Sequence, residues 1–396
     1  MKDKIKNALQ SFFGIKIRFW AVIMACVLFC GLGWGINARS QTRRFGGREG
    51  YAAAQKYLEV KKILSDNFVG EEDEQAMSDA ACAAMVKALG DRWSYYMSPS
   101  EYESYKLYSA NQYEGIGVTI TVDEASGGFA ITAVEPGSPA ESAELAVGDI
   151  ITAVDAEPLS GKTVTEVRTL IRSHMDETVT LTVKGANVTG DVKVDCTVIY
   201  KQPVTYKLTD DKVGYIRIQN FDAGAGEKAV AAVDELLAKG AVAMVFDVRT
   251  NPGGMLSELI KILDHLLPEG DIFVSVNEAG EETVTKSDNV CIDVPMAVLV
   301  DKNTYSAAEF FAAALKEYNW ATVVGEQTTG KARSQVTFEL PDGSAVHLSN
   351  NKYLTPDRVD LALVGGLTPD ILAATAATAE KDEALTSAVN AVLGKS

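Results

Sequence analysis

The chain has 396 residues, 47% hydrophobic and 23% charged, a globular balance that excludes a collagen-like or wholly disordered polypeptide and allows two or three domains. Its formal charge of −17 is uneven: residues 1–48 hold nine Lys/Arg against Asp3 alone, or +8, so the remaining 348 residues carry −25. An acidic body argues against nucleic acid as the main partner, because phosphate binding needs a basic surface.

Residues 1–18 are short and basic and read as a cytoplasmic N-terminus. The uncharged run Phe19–Ile36 just reaches the length that spans a bilayer. It is expected to be a transmembrane anchor in a single-pass, N-in orientation, although a cleaved signal peptide ending near Ala38 and Ser40 is the competing reading. Either way the body is exported, to the outer side of the membrane or, if cleaved, as a secreted protein. A polar linker, 37–50, leads to a helical segment, 51–112, in which Tyr57, Val60, Ile63 and Leu64 fall on one helix face.

From residue 113 the texture changes to short strands and turns, with "EGIGVTITVD", then "PGSPAESAELAVGDIITAVD", then "ETVTLTVKG". Glycine turns before strands are common, so "GIGV" alone says little; its combination with the Pro-Gly-Ser-Pro turn and the Gly148-Asp149 entry to a strand is specific. That order resembles a PDZ domain over 113–200. The resemblance implies that the loop Gly115, Ile116, Gly117, Val118 offers backbone N–H groups to a peptide's C-terminal carboxylate.

Residues 201–375 alternate apolar strands with amphipathic helices, the order of a mainly parallel sheet covered by helices. A short amphipathic helix is expected within 376–396. The five cysteines show no paired C-x-x-C spacing and the three histidines are isolated, so neither structural zinc nor histidine-based chemistry is expected, and no cofactor is implied.

Within 201–375, "VVGEQTTGKARSQ" contains G-x-x-x-x-G-K, the pattern of a phosphate loop. Ala332 stands where such a loop has its metal-binding hydroxyl, and "SQVTFEL" alternates as a strand where a helix should begin, which removes the dipole that binds phosphate. Lys331 has a second possible chemistry, since a lysine desolvated toward neutrality is a general base. Ser306, between a buried strand and a helix, could be its nucleophile. Each residue also has a plainer reading: Ser306-Ala307-Ala308-Glu309 is a capping box, Lys331 a surface lysine after a turn, and Asn251–Gly254 ("NPGG") a tight strand-to-helix turn.

The ordered combination "FDVRTNPGGMLSELIK", "VLVDKNTYSAAEFFAAAL", "VVGEQTTGKARSQVTFELPDGS" resembles the carboxy-terminal processing peptidases, S41 serine proteases with a PDZ domain, over about 320 of the 396 residues. The resemblance implies a multidomain α/β chain with a Ser-Lys protease core of the ClpP/crotonase-like fold. It implies that Ser306 is the nucleophile, Lys331 the base and Gln335 the residue that orients the lysine. Backbone N–H groups of Gly253 or Gly254 and of Ala307 would form the oxyanion hole. The partners implied are protein or peptide substrates recognised by their C-termini, with the PDZ domain either presenting the substrate or blocking the site. A homodimer through the helical segment and the C-terminal helix is also implied. Ala332, Ala308 and Tyr305 depart from the family's usual residues, and Tyr305 changes the shape expected of the specificity pocket. The alternative is a non-catalytic PDZ scaffold on a dead core, which a missing Ser or Lys would favour.

Overall fold

Most of the apolar strand runs between residues 204 and 325 assemble into one sheet. In the computed structural model, which describes residues 2–7, 11, 22–24, 26–29, 43, 45–185, 188–375 and 382–394, strands Val213–Ile218, Ala243–Asp247, Met296–Val300, Ala321–Gly325 and Ile371–Leu372 run parallel in that order, with Val204–Leu208 antiparallel at one edge. Both faces of the central strands are buried, so Ala243–Asp247 and Met296–Val300 read as continuous apolar runs. Met244, Phe246, Met296 and Val298 face one side, against helices Ala225–Ala238, Leu256–Leu266 and Ala307–Glu317. The alternate residues Ala243, Val245, Ala297 and Leu299 face the other, against Ala384, Ala388 and Val392 of helix Glu383–Leu393. That C-terminal helix, expected to serve dimerisation, therefore spends its apolar face within the chain. Asp382 caps it and pairs with Arg249 of the core.

A second, antiparallel sheet joins Tyr95–Met97, Ala345–Leu354, Gly270–Val276 and Glu282–Ser287, with Arg333–Glu339 also paired to Ala345–Leu354. Phe310 of helix Ala307–Glu317 meets Phe273 and Tyr353 edge-on, at 5.4 and 5.8 Å, and so fixes this sheet against the helix. The expected PDZ region forms a six-stranded antiparallel sheet in the order Val118–Asp123, Gly128–Val134, Ile150–Val154, Thr178–Lys184, Thr189–Asp195, with Glu157–Pro158 also paired to Ile150–Val154, over its own apolar core. Strand Gln112–Gly115 pairs antiparallel with Thr197–Tyr200, which clamps the two ends of this region together.

The chain divides into two compact units, Met1–Ser78 and Asp79–Ser396. In the first, helix Arg48–Asn67 buries none of its residues, and Val60, Ile63 and Leu64 of the expected apolar face stay exposed. The segment expected to be helical over 51–112 also contains the strand Tyr95–Met97. Of the expected anchor Phe19–Ile36 only residues 22–24 and 26–29 are described, and the rest lies outside the described residues; among those described, no helix is long and apolar enough to cross a membrane.

Candidate active site

The buried strand Met296–Val300 delivers the chain into a turn closed by its own side chains. The backbone N–H of Asp301 donates to Thr304 Oγ1 (2.9 Å), whose hydroxyl reaches the Val248 carbonyl (2.9 Å) on the neighbouring strand. Ser306 follows at φ 57°, ψ −130°, a conformation that costs a non-glycine residue about 1–3 kcal/mol. Neighbours hold it there: Tyr305 N–H donates to the Asn251 carbonyl (3.1 Å) and Ser306 N–H to Glu309 Oε2 (3.0 Å). Ser306 and Glu309 stand at N-cap and N3 of helix Ala307–Glu317 and form a capping box, of which the bond from Ser306 N–H to Glu309 is the well-formed half.

Strand Ala243–Asp247 leads into the facing turn, Asn251–Gly254. Asn251, fully buried, donates from Nδ2 to the Ile218 carbonyl (2.8 Å) and accepts the Gly253 N–H on Oδ1 (2.8 Å). The Gly253 N–H is thus already engaged, which leaves the N–H groups of Gly254 and Ala307 from the expected set. Gly253 lies at φ 90°, and a Cβ there would stand 2.7 Å from Ser306 Cβ. Upstream, the carboxylate of Asp247 receives Arg217, Arg249 and Tyr215, and Arg249 continues to Asp382. Arg249 is driven further up from its usual range: burial opposes its charge, but Asp247 and Asp382 outweigh burial.

Lys331 arrives on the loop after strand Ala321–Gly325, and a strand rather than a helix follows it, so no helix N-terminus is present to bind phosphate. Glu309, wholly buried, accepts the backbone N–H groups of Gly330 (2.7 Å) and Lys331 (2.8 Å) and the Thr328 hydroxyl. One carboxylate thereby ties the Ser306 turn to the Lys331 loop. The Lys331 amine lies 4.5 Å from the ring centre of Trp93 and 5.7 Å from that of Tyr305, two rings that stack on each other. Burial lowers its pKa to about 8, against the opposing charges of Asp91 and Glu309 and with help from Arg92. Gln335 lines the same cavity, but its amide donates to the Arg333 carbonyl (2.9 Å) and Ser349 Oγ (3.3 Å), so its described hydrogen bonds do not run to Lys331.

Ser306, Ala307, Lys331, Gln335, Gly253 and Gly254 all line one cavity of about 540 Å³, whose apolar end is Leu259, Phe273, Phe310 and Tyr353. Among the described residues no cluster of His, Cys, Asp and Glu is placed to hold a metal. Sequence reasoning missed Asn251 as a clamp, Glu309 as a bridge and Trp93 as the floor under the lysine. Only Glu309 carried a signal, as N3 of a capping box, and that signal pointed to a local role.

A second cavity, about 710 Å³, lies between edge strand Val118–Asp123 and helix Val164–Arg172. Gly115, Ile116 and Val118 line it; Gly117 packs so closely on Ser138 that a Cβ would stand 2.1 Å from that residue's Cβ. The carbonyls of Ile116 and Gly117 accept from Ala140 (2.9 Å) and Glu135 (2.8 Å). In planar trans peptides the N–H groups of Gly117 and Val118 then point the opposite way. Tyr95, Tyr105 and Tyr108 line both cavities, so a single wall separates them.

Comparison with known proteins agrees with this architecture. The model of peptidase family S41 matches residues 212–373, and a PDZ-domain model matches 130–185. A carboxyl-terminal-processing protease of Picosynechococcus sp. is 34% identical over 296 residues, 73% of this chain and 71% of that protein. A protein of Staphylococcus aureus named as a CtpA-like serine protease is 32% identical over 310 residues, 77% of this chain; the alignment spans 62% of that relative's length. Among solved structures, the photosystem II D1 C-terminal processing protease aligns with a TM-score of 0.50 at 25% identity, covering 85% of this chain and 89% of the other. Sheet topology, the PDZ fold and these relatives together establish that the chain belongs to peptidase family S41, among the carboxyl-terminal-processing proteases that carry a PDZ domain.

Proposed function

We propose that the protein is a serine endopeptidase of the C-terminal processing type, with Ser306 as nucleophile and Lys331 as general base. The observation that carries this reading is the shared cavity: a strained serine at a helix N-terminus and a lysine with a pKa near 8, fastened to one another's loops by Glu309. Ser306 Oγ attacks a peptide carbonyl carbon while its proton passes to neutral Lys331 Nζ. Gly254 N–H and Ala307 N–H, the latter at the first position of a helix, would hold the oxyanion. Lys331 then gives the proton to the departing amine, and water hydrolyses the acyl-enzyme by the same route. Gln335 supports the strand that follows Lys331.

The groove beside Val118–Asp123 takes a substrate's C-terminus by strand addition. Its common wall with the catalytic cavity, Tyr95, Tyr105 and Tyr108, favours a coupling between peptide capture and cleavage. The uncharged run Phe19–Ile36 supports a single-pass anchor with the catalytic body outside the cell, and the exposed apolar face of helix Arg48–Asn67 supports a homodimer.

The test is Ser306→Ala, read by casein digestion and by labelling with a fluorophosphonate probe. Loss of both with a nearly unchanged melting temperature is expected, because the Ser306 N–H to Glu309 half of the capping box does not use the hydroxyl. Full activity with a stability loss of about 0.5–2 kcal/mol would reduce Ser306 to a helix cap.

A further inference from the structure

Among the described residues, Asp222 is the one carboxylate-bearing residue that lines the catalytic cavity, and it is only 6% exposed. Its position is not accidental to the site. Phe221 bridges the oxyanion turn, donating its N–H to the Gly253 carbonyl (2.7 Å) and accepting the Met255 N–H (2.7 Å), so Asp222 begins one residue from that turn. The backbone around it is fixed on every side. Asp222 N–H donates to Asn220 Oδ1 (3.0 Å), Ala223 N–H to the Ser109 carbonyl (3.1 Å), and Asn111 Nδ2 to the Ala223 carbonyl (2.9 Å). Asn220 is in turn held by Asn111 (2.8 Å).

Among the described residues, no hydrogen bond or ion pair reaches the Asp222 carboxylate, although no fully enclosed polar atom is left unsatisfied. Its open side is therefore the cavity. Lys201, the nearest opposing charge, lies instead over the rings of Tyr108 (5.6 Å) and Tyr113 (5.2 Å). Of the cationic residues that do line the cavity, Arg333 pairs with Asp360, and Lys331 lies on Trp93. A buried carboxyl without a cation is held toward its neutral form, and burial raises Asp222 to about 7. A ligand cation entering the cavity would favour the ionised carboxylate again, since an opposite charge within about 4–6 Å stabilises the charged form.

We propose that Asp222 is a specificity residue of this cleft, receiving a lysine or arginine side chain of the substrate next to the scissile bond. The proposal rests on the peptidase reading, but its test separates the two. Peptides are prepared in matched sets with Lys, norleucine or Glu at each of the positions flanking the cleaved bond. At one of these positions the Lys peptide is cleaved at least about tenfold more efficiently than its norleucine isostere at pH 8, and the Glu peptide least of all. The preference shrinks as pH falls below 7 and the carboxyl takes a proton. The groups facing it during this titration are Tyr108 from helix Pro99–Ser109 and Lys201 from the segment after Thr197–Tyr200. Across the cavity stand Lys331, Arg333 and His347.

In Asp222→Asn the Lys-to-norleucine ratio falls to near one. The same ratio is read as binding, by fluorescence anisotropy, in Ser306→Ala and in Ser306→Ala with Asp222→Asn, neither of which needs turnover. A binding preference for Lys without any proteolysis by the intact protein would defeat the peptidase reading and leave Asp222 as a cation site. Equal ratios for the wild type at every flanking position, or a preference that survives Asp222→Asn, overturn the proposal.

Discussion

Glu309 accepts the backbone N–H of Lys331 at 2.8 Å on the same carboxylate oxygen that accepts the N–H of Ser306 at 3.0 Å. The distance between the proposed nucleophile and base is therefore set by a side chain that takes no part in proton transfer. Its other oxygen holds Gly330 and Thr328, so all four partners are donors.

Glu309→Gln keeps the volume but turns an NH₂ group toward at least one of those donors. A buried donor left unsatisfied costs about 1–3 kcal/mol, so the melting temperature should fall. Misplacement of Ser306 against Lys331 by about an ångström is expected to cost on the order of 100-fold in turnover. Thermal melts and peptide hydrolysis check this, and unchanged turnover would show that the two loops hold their spacing without the carboxylate.

Activity should climb about tenfold per pH unit below pH 8 and level off above it, because only the neutral Lys331 amine accepts a proton and burial brings its pKa to about 8. His347, in the same cavity, does not contribute a limb near neutrality, since burial, aided by the Lys331 charge, lowers it to about 4. Lys331→Arg should be as inactive as Lys331→Ala, as guanidinium stays charged. A flat profile of kcat/KM between pH 6 and 9 would remove Lys331 as the base.

Gly253→Ala places a methyl group 2.7 Å from Ser306 Cβ and 2.9 Å from Ala307 N, on a backbone at φ 90°. The strain costs about 1–3 kcal/mol, and the nucleophile turn must shift to relieve it. Loss of fluorophosphonate labelling is expected to exceed what the lowered melting temperature explains at 25 °C. Labelling at the wild-type rate would mean that the turn has slack the packing does not suggest.

Peptides with a free C-terminal carboxylate should be cleaved faster than their C-terminal amides if the groove presents substrate, with the scissile sequence held constant. The carboxylate would meet the N–H groups of Gly117 and Val118, while Arg172 is tied by Nε to the Glu114 carbonyl (3.3 Å) at the entrance of the same loop. Faster cleavage of the amide would instead indicate a groove that inhibits when filled. Equal rates would make Gly115–Val118 only a turn.

The sequence by itself determined the layers of this protein. Continuous apolar strands such as Ala243–Asp247 can only be buried on both faces, and alternation in "SQVTFEL" excluded a helix after Lys331, because these periods are properties of the local chain. It also marked Ser306, Lys331 and the glycine turn as candidates, through motifs whose order carries information that no single residue does. Only the tertiary structure decided what each candidate touches. Glu309 is a helix cap in sequence and a bridge between two loops in space; the Gly253 N–H, an expected oxyanion donor, is taken by Asn251; and the C-terminal helix closes the far face of the sheet. Asp222 carried no signal at all, since its burial, its lack of a hydrogen-bonded cation and its place beside the Asn251–Gly254 turn arise from segments that meet only on folding. Hydrogen-bond partners and desolvation depend on distances between remote parts of the chain, and those distances are written in no local pattern.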